Sequence, residues 1–294
     1  MMFESLQEAL ARAEADGVSL GELALRVEAE GGLRTREEVE QALGRALAVM
    51  RRAVERGETG ELRSVSGLVG GDAAKLRDAP GPLAGTLFTD VLAGALAVQE
   101  VNAAMGVIVA APTAGGAGVL PGVLLGIARH VSTSDEQLVR GLATAGLVGA
   151  VVAVRASLSG AEGGCQAETG AAAAMAAAAG VEVLGGSPEA ACHAVALAMQ
   201  GTLGLVCDPL GGLVEVPCVF RNATGGAIAL AAIEMALAGI RFPIPADEVI
   251  DTMGEIGRSM DVRYRETAGG GLAATPTGRK LARERLVQLK RPGT

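Results

Sequence analysis

Charged and apolar residues are mixed through the first sixty residues of the chain, whereas most later segments carry almost no charge. Three stretches in this first part begin with a serine or threonine that is followed three residues later by a glutamate. In such a capping box the two side chains satisfy free backbone amides of the first helical turn. The three pairs are Ser5 and Glu8, Ser19 and Glu22, and Thr35 and Glu38. The pattern predicts short amphipathic helices that form an outer layer over residues 1–60.

The remainder of the chain, residues 61–294, is rich in alanine, glycine and leucine. Small side chains let backbones approach closely, which suits packed helices better than a sheet of β-branched and aromatic residues. We predict helical segments at about 85–105, 118–130, 135–158, 167–180, 188–203 and 222–240. Glycine-rich loops separate several of them. The sequence therefore predicts an all-α fold, with a single large helical domain that carries functional loops and continues from the N-terminal layer.

The composition of the chain limits the kinds of molecule that it is expected to bind. The chain has 294 residues, of which 50% are hydrophobic and only 2% aromatic, and its formal net charge is −8. This acidic balance disfavours binding to nucleic acid or to an anionic membrane. The uncharged stretch before Arg129 is interrupted by Pro112 and Pro121, so we do not expect it to span a membrane. The first residues lack the pattern of a signal peptide, and we expect a cytoplasmic protein.

Four cysteines fall into two contexts. Cys192 lies among alanines in a predicted helix, where a thiol is typically part of the core. Cys165, Cys207 and Cys218 each stand beside a glycine or proline, at positions where a loop can direct a thiolate toward a metal. Their spacing lacks the paired cysteines of zinc knuckles, which disfavours a structural zinc. The residues by themselves leave two alternatives, ligands of an iron–sulfur cluster or buried thiols.

Five motifs resemble the α chain of the bacterial iron–sulfur L-serine dehydratases. They are SGAEGGCQAETGAA, LGLVCDPLGG, VEVPCVFRNA, APTAGGAGVLPGVL and MDVRYRETAGGGLA, and the resemblance extends from about residue 60 to residue 275. It implies a lyase of amino-acid degradation and gluconeogenesis that converts L-serine to pyruvate and ammonia. It also implies an oxygen-sensitive 4Fe–4S cluster whose ligands are Cys165, Cys207 and Cys218, while Cys192 lies outside the motifs.

The resemblance further implies a second subunit. Single-chain members of the family carry an additional domain with a Ser-Ser-His-Thr-type motif near the substrate, and this chain lacks that motif. We therefore expect a β subunit to supply it, and we expect an oligomer. Some single-chain members end in a cysteine that caps the open iron, but no cysteine follows Cys218 here.

The chemistry follows from three-thiolate ligation. One iron is left open to act as a Lewis acid on the hydroxyl of L-serine, and a base must remove the proton at Cα. His130 and His193 lie in helical contexts that do not favour that task. Lys75 is the only lysine outside the C-terminal tail and is the catalytic candidate within this chain, the alternative being a solvated side chain.

Residues of the other motifs are candidates for substrate binding. Thr113 precedes a run of backbone amides that could form a nest for a carboxylate, and Arg221 and Asn222 follow Cys218 closely enough to lie near a cluster. The complete candidate set is Ser66, Thr113, Ala114, Gly115, Gly116, Arg221, Asn222 and Arg265. The structural alternative for the Thr113 loop is a plain glycine-rich turn, and the alternative for Arg265 is a contact that only holds the C-terminal tail in place.

Two other functions stay open at this point. An iron–sulfur L-cysteine desulfidase is built on a similar α-type domain, and a zinc- or thiol-stabilised helical scaffold would have no catalytic activity. Colour in protein purified without air would separate the scaffold from the enzymes, and assays with serine and cysteine would separate the two enzymes.

Overall fold

The computed structural model describes residues 3–79 and 85–289, and within these ranges the chain is helical without a β-strand. The predicted all-α class is confirmed. The helices are α1 Leu6–Asp16, α2 Leu20–Glu30, α3 Arg36–Gly57, α4 Asp72–Asp78, α5 Gly85–Ala103, α6 Val119–His130, α7 Asp135–Arg155, α8 Gly160–Gly163, α9 Ala171–Val183, α10 Pro188–Gln200, α11 Cys218–Leu237, α12 Ala246–Ser259 and α13 Pro276–Leu289.

The N-terminal helices begin where the capping residues predict. The side chains of Ser5, Ser19 and Thr35 each accept a hydrogen bond from the backbone amide three residues later. Only Thr35 forms the complete reciprocal box, because the Glu38 carboxylate accepts from the Thr35 amide at 2.7 Å. Apolar residues of α1, α2 and α3 belong to the same hydrophobic core as the helices that follow.

Helix α9 lies at the centre of that core. Every residue of α9 except Glu182 is buried, and the helix packs against α6, α7, α10 and α11. Its alanine side chains let these neighbours come close without leaving voids. The N-terminal end of α9 continues from a π-helical turn, Gln166–Gly170, which follows Cys165. The central helix thus holds the first cysteine of the predicted site in a fixed position.

Two details differ from the predicted segments. Helix α11 begins at Cys218 rather than at residue 222, so this cysteine occupies a first helical turn and not a loop. Helix α12 was not predicted, although Pro245 and two acidic residues at its start are typical of a helix N-terminus. Among the described residues α7 is long and apolar enough to cross a membrane, but 67% of that stretch is buried within the protein.

The C-terminal part of the chain returns to the loop that contains Cys207. The Cys207 amide donates to the Tyr264 carbonyl at 2.7 Å, and its carbonyl accepts from the Glu266 amide at 2.8 Å. These bonds form a single parallel bridge between Cys207 and Arg265. Helix α13 packs on the short 3-10 turn Leu210–Gly212 in the same loop. Segments distant in sequence therefore meet around the cysteines.

Candidate active site

Three of the four cysteines come together although they belong to three separate segments. Cys165 precedes the π-helical turn, Cys207 lies between α10 and α11, and Cys218 opens α11; each is at most 4% exposed. Cys207 is the largest influence on the pKa of Cys165, and the charge of Cys218 contributes to the raised pKa of Cys207, so the three thiols are neighbours. The Cys165 sulfur also lies 3.2 Å from Thr169 Oγ1. We refer to these three thiols as the cysteine centre.

The thiols influence one another strongly. The hydrogen bond with Cys207 lowers the pKa of Cys165, with help from the Thr169 hydroxyl and the positive charge of Arg221. The interaction with Cys165 raises the pKa of Cys207. Burial, together with neighbouring negative charges, raises the pKa of Cys218 to about 12. Three thiolates in one buried place repel each other, so their joint ionisation requires a cation.

Cys192 lies elsewhere. It is on α10, and the charged groups that act on it are Asp247, Glu14 and Glu189 rather than the other cysteines. Burial is the main reason that its pKa is raised to about 12. The surroundings of Cys192 are therefore not those of the cysteine centre.

Glu168 is a residue of this site that the sequence analysis missed. Its Oε1 atom accepts a hydrogen bond of 2.7 Å from Thr113 Oγ1, and its Oε2 atom lies 3.9 Å from the Cys207 sulfur. Burial is the largest influence on the carboxyl group and raises its pKa to about 7. The available signal was a single acidic residue three positions after Cys165, shortly before the alanine-rich stretch that begins at Ala171.

The Thr113 loop lies directly against Glu168, and its glycines make that approach possible. A Cβ atom at Gly115 would lie 2.8 Å from the Glu168 carboxylate oxygens, and one at Gly116 would lie 2.9 Å from the Glu168 carbonyl oxygen. The Ala114 carbonyl accepts from the side chain of Gln99 at 2.7 Å. The four candidate residues from Thr113 to Gly116 are therefore held beside the cysteine centre.

Arg221 and Asn222 connect this loop to the cysteines. Arg221 donates to the Val206 carbonyl at 2.8 Å and forms an ion pair of 2.8 Å with Asp208, and its positive charge helps to lower the pKa of Cys165. Asn222 is fully buried, and its amide group is already bonded to backbone atoms of the Thr113 loop and of Cys218. Both side chains hold the segments of the centre together in this structure.

Ser66 reaches the cysteine loop through Glu215. The Ser66 amide donates to a Glu215 carboxylate oxygen at 3.0 Å, and the Ser66 hydroxyl donates to the other oxygen. Ser66 is 7% exposed and Glu215 is 4% exposed. The bond joins the Ser66 loop to the segment between Cys207 and Cys218, so the structure places Ser66 at the border of the site.

The candidates for the base lie outside this constellation. Lys75 is on α4, where its side chain is 75% exposed and forms an ion pair of 2.8 Å with Asp72. His130 hydrogen-bonds with Asp90 at 2.7 Å, and His193 lies on α10 next to Glu189 and Arg241 at a surface cavity. Among the described residues none of the three has a hydrogen bond with a cysteine of the centre.

Thiolates are the usual ligands of iron–sulfur clusters, and the cysteine centre offers three thiols. Within residues 3–79 and 85–289, no group of three His, Cys, Asp or Glu side chains is arranged to hold one metal ion. Three buried thiols from three segments, with no acidic ligand among them, match the chemistry that iron–sulfur clusters require.

Known proteins resemble this chain over most of its length. Residues 8–273 match the family model described as serine dehydratase alpha chain. The chain is 48% identical over 286 residues to the probable L-serine dehydratase, alpha chain, of Bacillus subtilis, covering 96% of this chain and 95% of that protein. It is 39% identical over 275 residues to the L-serine dehydratase, alpha chain, of Peptoniphilus asaccharolyticus, covering 92% and 94%. It is 39% identical over 285 residues to L-serine dehydratase 1 of Escherichia coli, covering 92% of this chain but 61% of that protein.

Proposed function

The chain belongs to the serine dehydratase alpha chain family, and on that premise we propose that it is the α subunit of a 4Fe–4S-dependent L-serine dehydratase. The reaction removes the Cα proton and the β-hydroxyl of L-serine as water, and the resulting enamine tautomerises and hydrolyses to pyruvate and ammonia. The observation that carries the proposal is the convergence of three buried thiols from three segments.

Cys165, Cys207 and Cys218 would hold the cluster, which when bound supplies an iron with an open position that activates the β-hydroxyl as a leaving group. Arg221 contributes a positive charge that stabilises the thiolate of Cys165. Its ion pair with Asp208 keeps the guanidinium in place beside that sulfur. The chain thus provides both the ligands and a fixed cation that favours their ionised form.

Glu168 and Thr113 are the polar side chains that we expect a bound amino acid to meet. The Glu168 carboxylate is an acceptor for an ammonium group, and the Thr113 hydroxyl donates to it at 2.7 Å and fixes its direction. The carboxylate of the substrate would bind the amides that follow Thr113, as a backbone nest binds an anion. Burial of the whole region excludes water, which strengthens each of these interactions.

A β subunit is proposed as the source of the base that takes the Cα proton. Relatives named alpha chain match this chain over 94–95% of their length, whereas the E. coli relative is matched over only 61%. We infer that the unmatched part of the longer relative corresponds to a second subunit. Free thiols at all four cysteines suit a reducing compartment, and we place the enzyme in the cytoplasm.

Iron binding tests the ligand assignment. We expect the parent chain, reconstituted without air, to hold about four irons and to absorb near 400 nm. Cys165→Ala, Cys207→Ala and Cys218→Ala should each lose the iron and the colour, because each removes a ligand. Cys192→Ala is the matched control and should keep both. Equal iron loss in all four variants would contradict the assignment.

Activity tests the rest of the proposal. The reconstituted chain should form pyruvate from L-serine only when the β subunit is added, since we propose that this subunit supplies the base. A parallel assay with L-cysteine checks substrate choice. Full turnover by the α chain without its partner would place the base on this sequence, and the buried Glu168 would be the first residue to replace, ahead of the exposed Lys75.

A further inference from the structure

A second cavity adjoins the cysteine centre but is not part of it. It has a volume of about 330 Å³ and lies between the C-terminal part of α12 and the segment that leads into Cys165. Gly163 and Ala167 on either side of Cys165 form part of its wall, and Arg265, which is bridged to Cys207, forms another part. Among the described residues no cysteine lines it.

Two arginines give the cavity a positive side. The Arg265 Nε atom is buried and has no hydrogen-bond partner among the described residues. Arg258 also lines the cavity, and its Nη1 atom would be 3.2 Å from a Cβ atom at Gly254, another lining residue. Guanidinium groups bind carboxylates through paired, charge-assisted hydrogen bonds. A buried donor without an acceptor is costly, and a bound carboxylate would satisfy it.

A carboxylate also lines the cavity. Glu162 lines the cavity, and its Oε2 atom accepts a hydrogen bond of 2.6 Å from Ser157 Oγ. No arginine or lysine of the described residues forms an ion pair with Glu162. A ligand that carried only negative charge would be repelled here, whereas an ammonium group would find an acceptor.

The walls of the cavity leave room for a small ligand. Ala156, Ala161, Gly163, Ala167 and Gly254 supply most of the surface between the charged groups. The volume is at the lower end of the range of about 300–1,000 Å³ that is usual for small-molecule sites. An α-amino acid with a short side chain is of suitable size, and its carboxylate and ammonium groups match the two arginines and Glu162, respectively.

We propose that this cavity binds a small α-amino acid as a zwitterion, with its carboxylate on Arg258 and Arg265 and its ammonium group on Glu162. The site is separate from the cysteine centre and stands beside it. The proposal rests on the proposed function only in the choice of L-serine as the amino acid. It adds to that function a second site, at which the substrate binds away from the cluster.

Calorimetric titration of the full chain without iron and without a partner provides the test. L-serine should bind, whereas propionate and ethanolamine should bind at least about tenfold more weakly, because each lacks one of the two charges. Arg258→Gln and Glu162→Gln should each weaken L-serine binding about tenfold. Both side chains are exposed on the surface, so neither substitution should disturb folding.

Controls separate this site from the cysteine centre. Arg45→Gln and Glu255→Gln remove exposed charges from α3 and from the same helix α12, and both should leave L-serine affinity unchanged. Absence of L-serine binding, or an affinity unchanged in Arg258→Gln, would overturn the proposal. So would binding that is lost in Thr113→Val instead, because the ligand would then lie at the cysteine centre. None of these outcomes bears on iron content or lyase activity.

Discussion

Replacement of Asn222 by alanine tests how the cysteine centre is joined to the Thr113 loop. The Asn222 Nδ2 atom donates to the Gly115 carbonyl at 2.7 Å and to the Cys218 carbonyl at 2.8 Å, while Oδ1 accepts from the Gly118 amide at 2.9 Å. Alanine would remove all three bonds. It would leave the buried carbonyl and amide of the Thr113 loop without their side-chain partner.

The expected cost follows mainly from the Gly118 amide, which would lose its acceptor. A buried polar group left without a partner costs about 1–3 kcal/mol. The Gly115 carbonyl adds less, because it keeps a bond of 3.3 Å from Gln99 Nε2, and the Cys218 carbonyl adds less, because it also lies in the first turn of α11 and faces helical amides. A loss of about 1–3 kcal/mol is a substantial part of the roughly 5–15 kcal/mol that stabilises a typical domain. The thermal midpoint should fall by about 2–5 °C.

Urea unfolding followed by circular dichroism measures the change in the free energy of unfolding. Thr224→Ala is the matched control, since Thr224 is exposed on the same helix and should change stability by no more than about 0.5 kcal/mol. The loss of stability in Asn222→Asp should lie between those of Thr224→Ala and Asn222→Ala. An aspartate oxygen still accepts from the Gly118 amide, but the aspartate has no group that donates to the Gly115 carbonyl. A loss below about 1 kcal/mol in Asn222→Ala would refute the reasoning.

Two further predictions concern the N-terminal helices. Gly57→Ala should lower the free energy of unfolding by about 1–3 kcal/mol or more, because its Cβ atom would overlap the backbone of Ala97. Gly44→Ala on the same helix meets open space and should raise the free energy of unfolding by up to about 1 kcal/mol. Equal effects of the two substitutions on urea unfolding would contradict this. Hydrogen bonding by Arg36 lowers the pKa of Glu22 to about 2, so Glu22→Gln should cost about 1 kcal/mol at pH 7 and low salt. That difference should be full above about pH 4.5 and vanish as the pH falls through 2; a constant difference would exclude the ionised pair as its source.

Local features of the chain were predictable because they depend on near neighbours. The start of α3 follows from Thr35 and Glu38, whose side chains bond to amides three residues away. Helix α10 likewise begins at Pro188 behind the capping residue Ser187. The start of α11 was placed too late, since Pro217 and Cys218 suggested a loop, whereas packing of Val219 against α4 and α5 favours the helix.

The role of Glu168 could not be predicted in the same way. Its carboxylate is held by Thr113, which lies 55 residues earlier in the chain. Its raised pKa arises first from burial, which is a property of the folded chain and not of the local sequence. The exposure of Lys75 and the saturation of the Asn222 amide by backbone groups are likewise results of folding.

The sequence by itself determined the helical class of the protein and several helix starts, and its motifs singled out the three cysteines that we predict to be ligands. These properties depend on backbone preferences within a few residues and on motifs that are continuous in the chain. Only the tertiary structure decided that Cys165 and Cys207 are neighbours and that Glu168 lies beside them. It also decided that a cavity lined by both acidic and basic side chains adjoins them. The reason is that burial and electrostatic interactions are set by distances between segments far apart in sequence, and only packing around α9 fixes those distances.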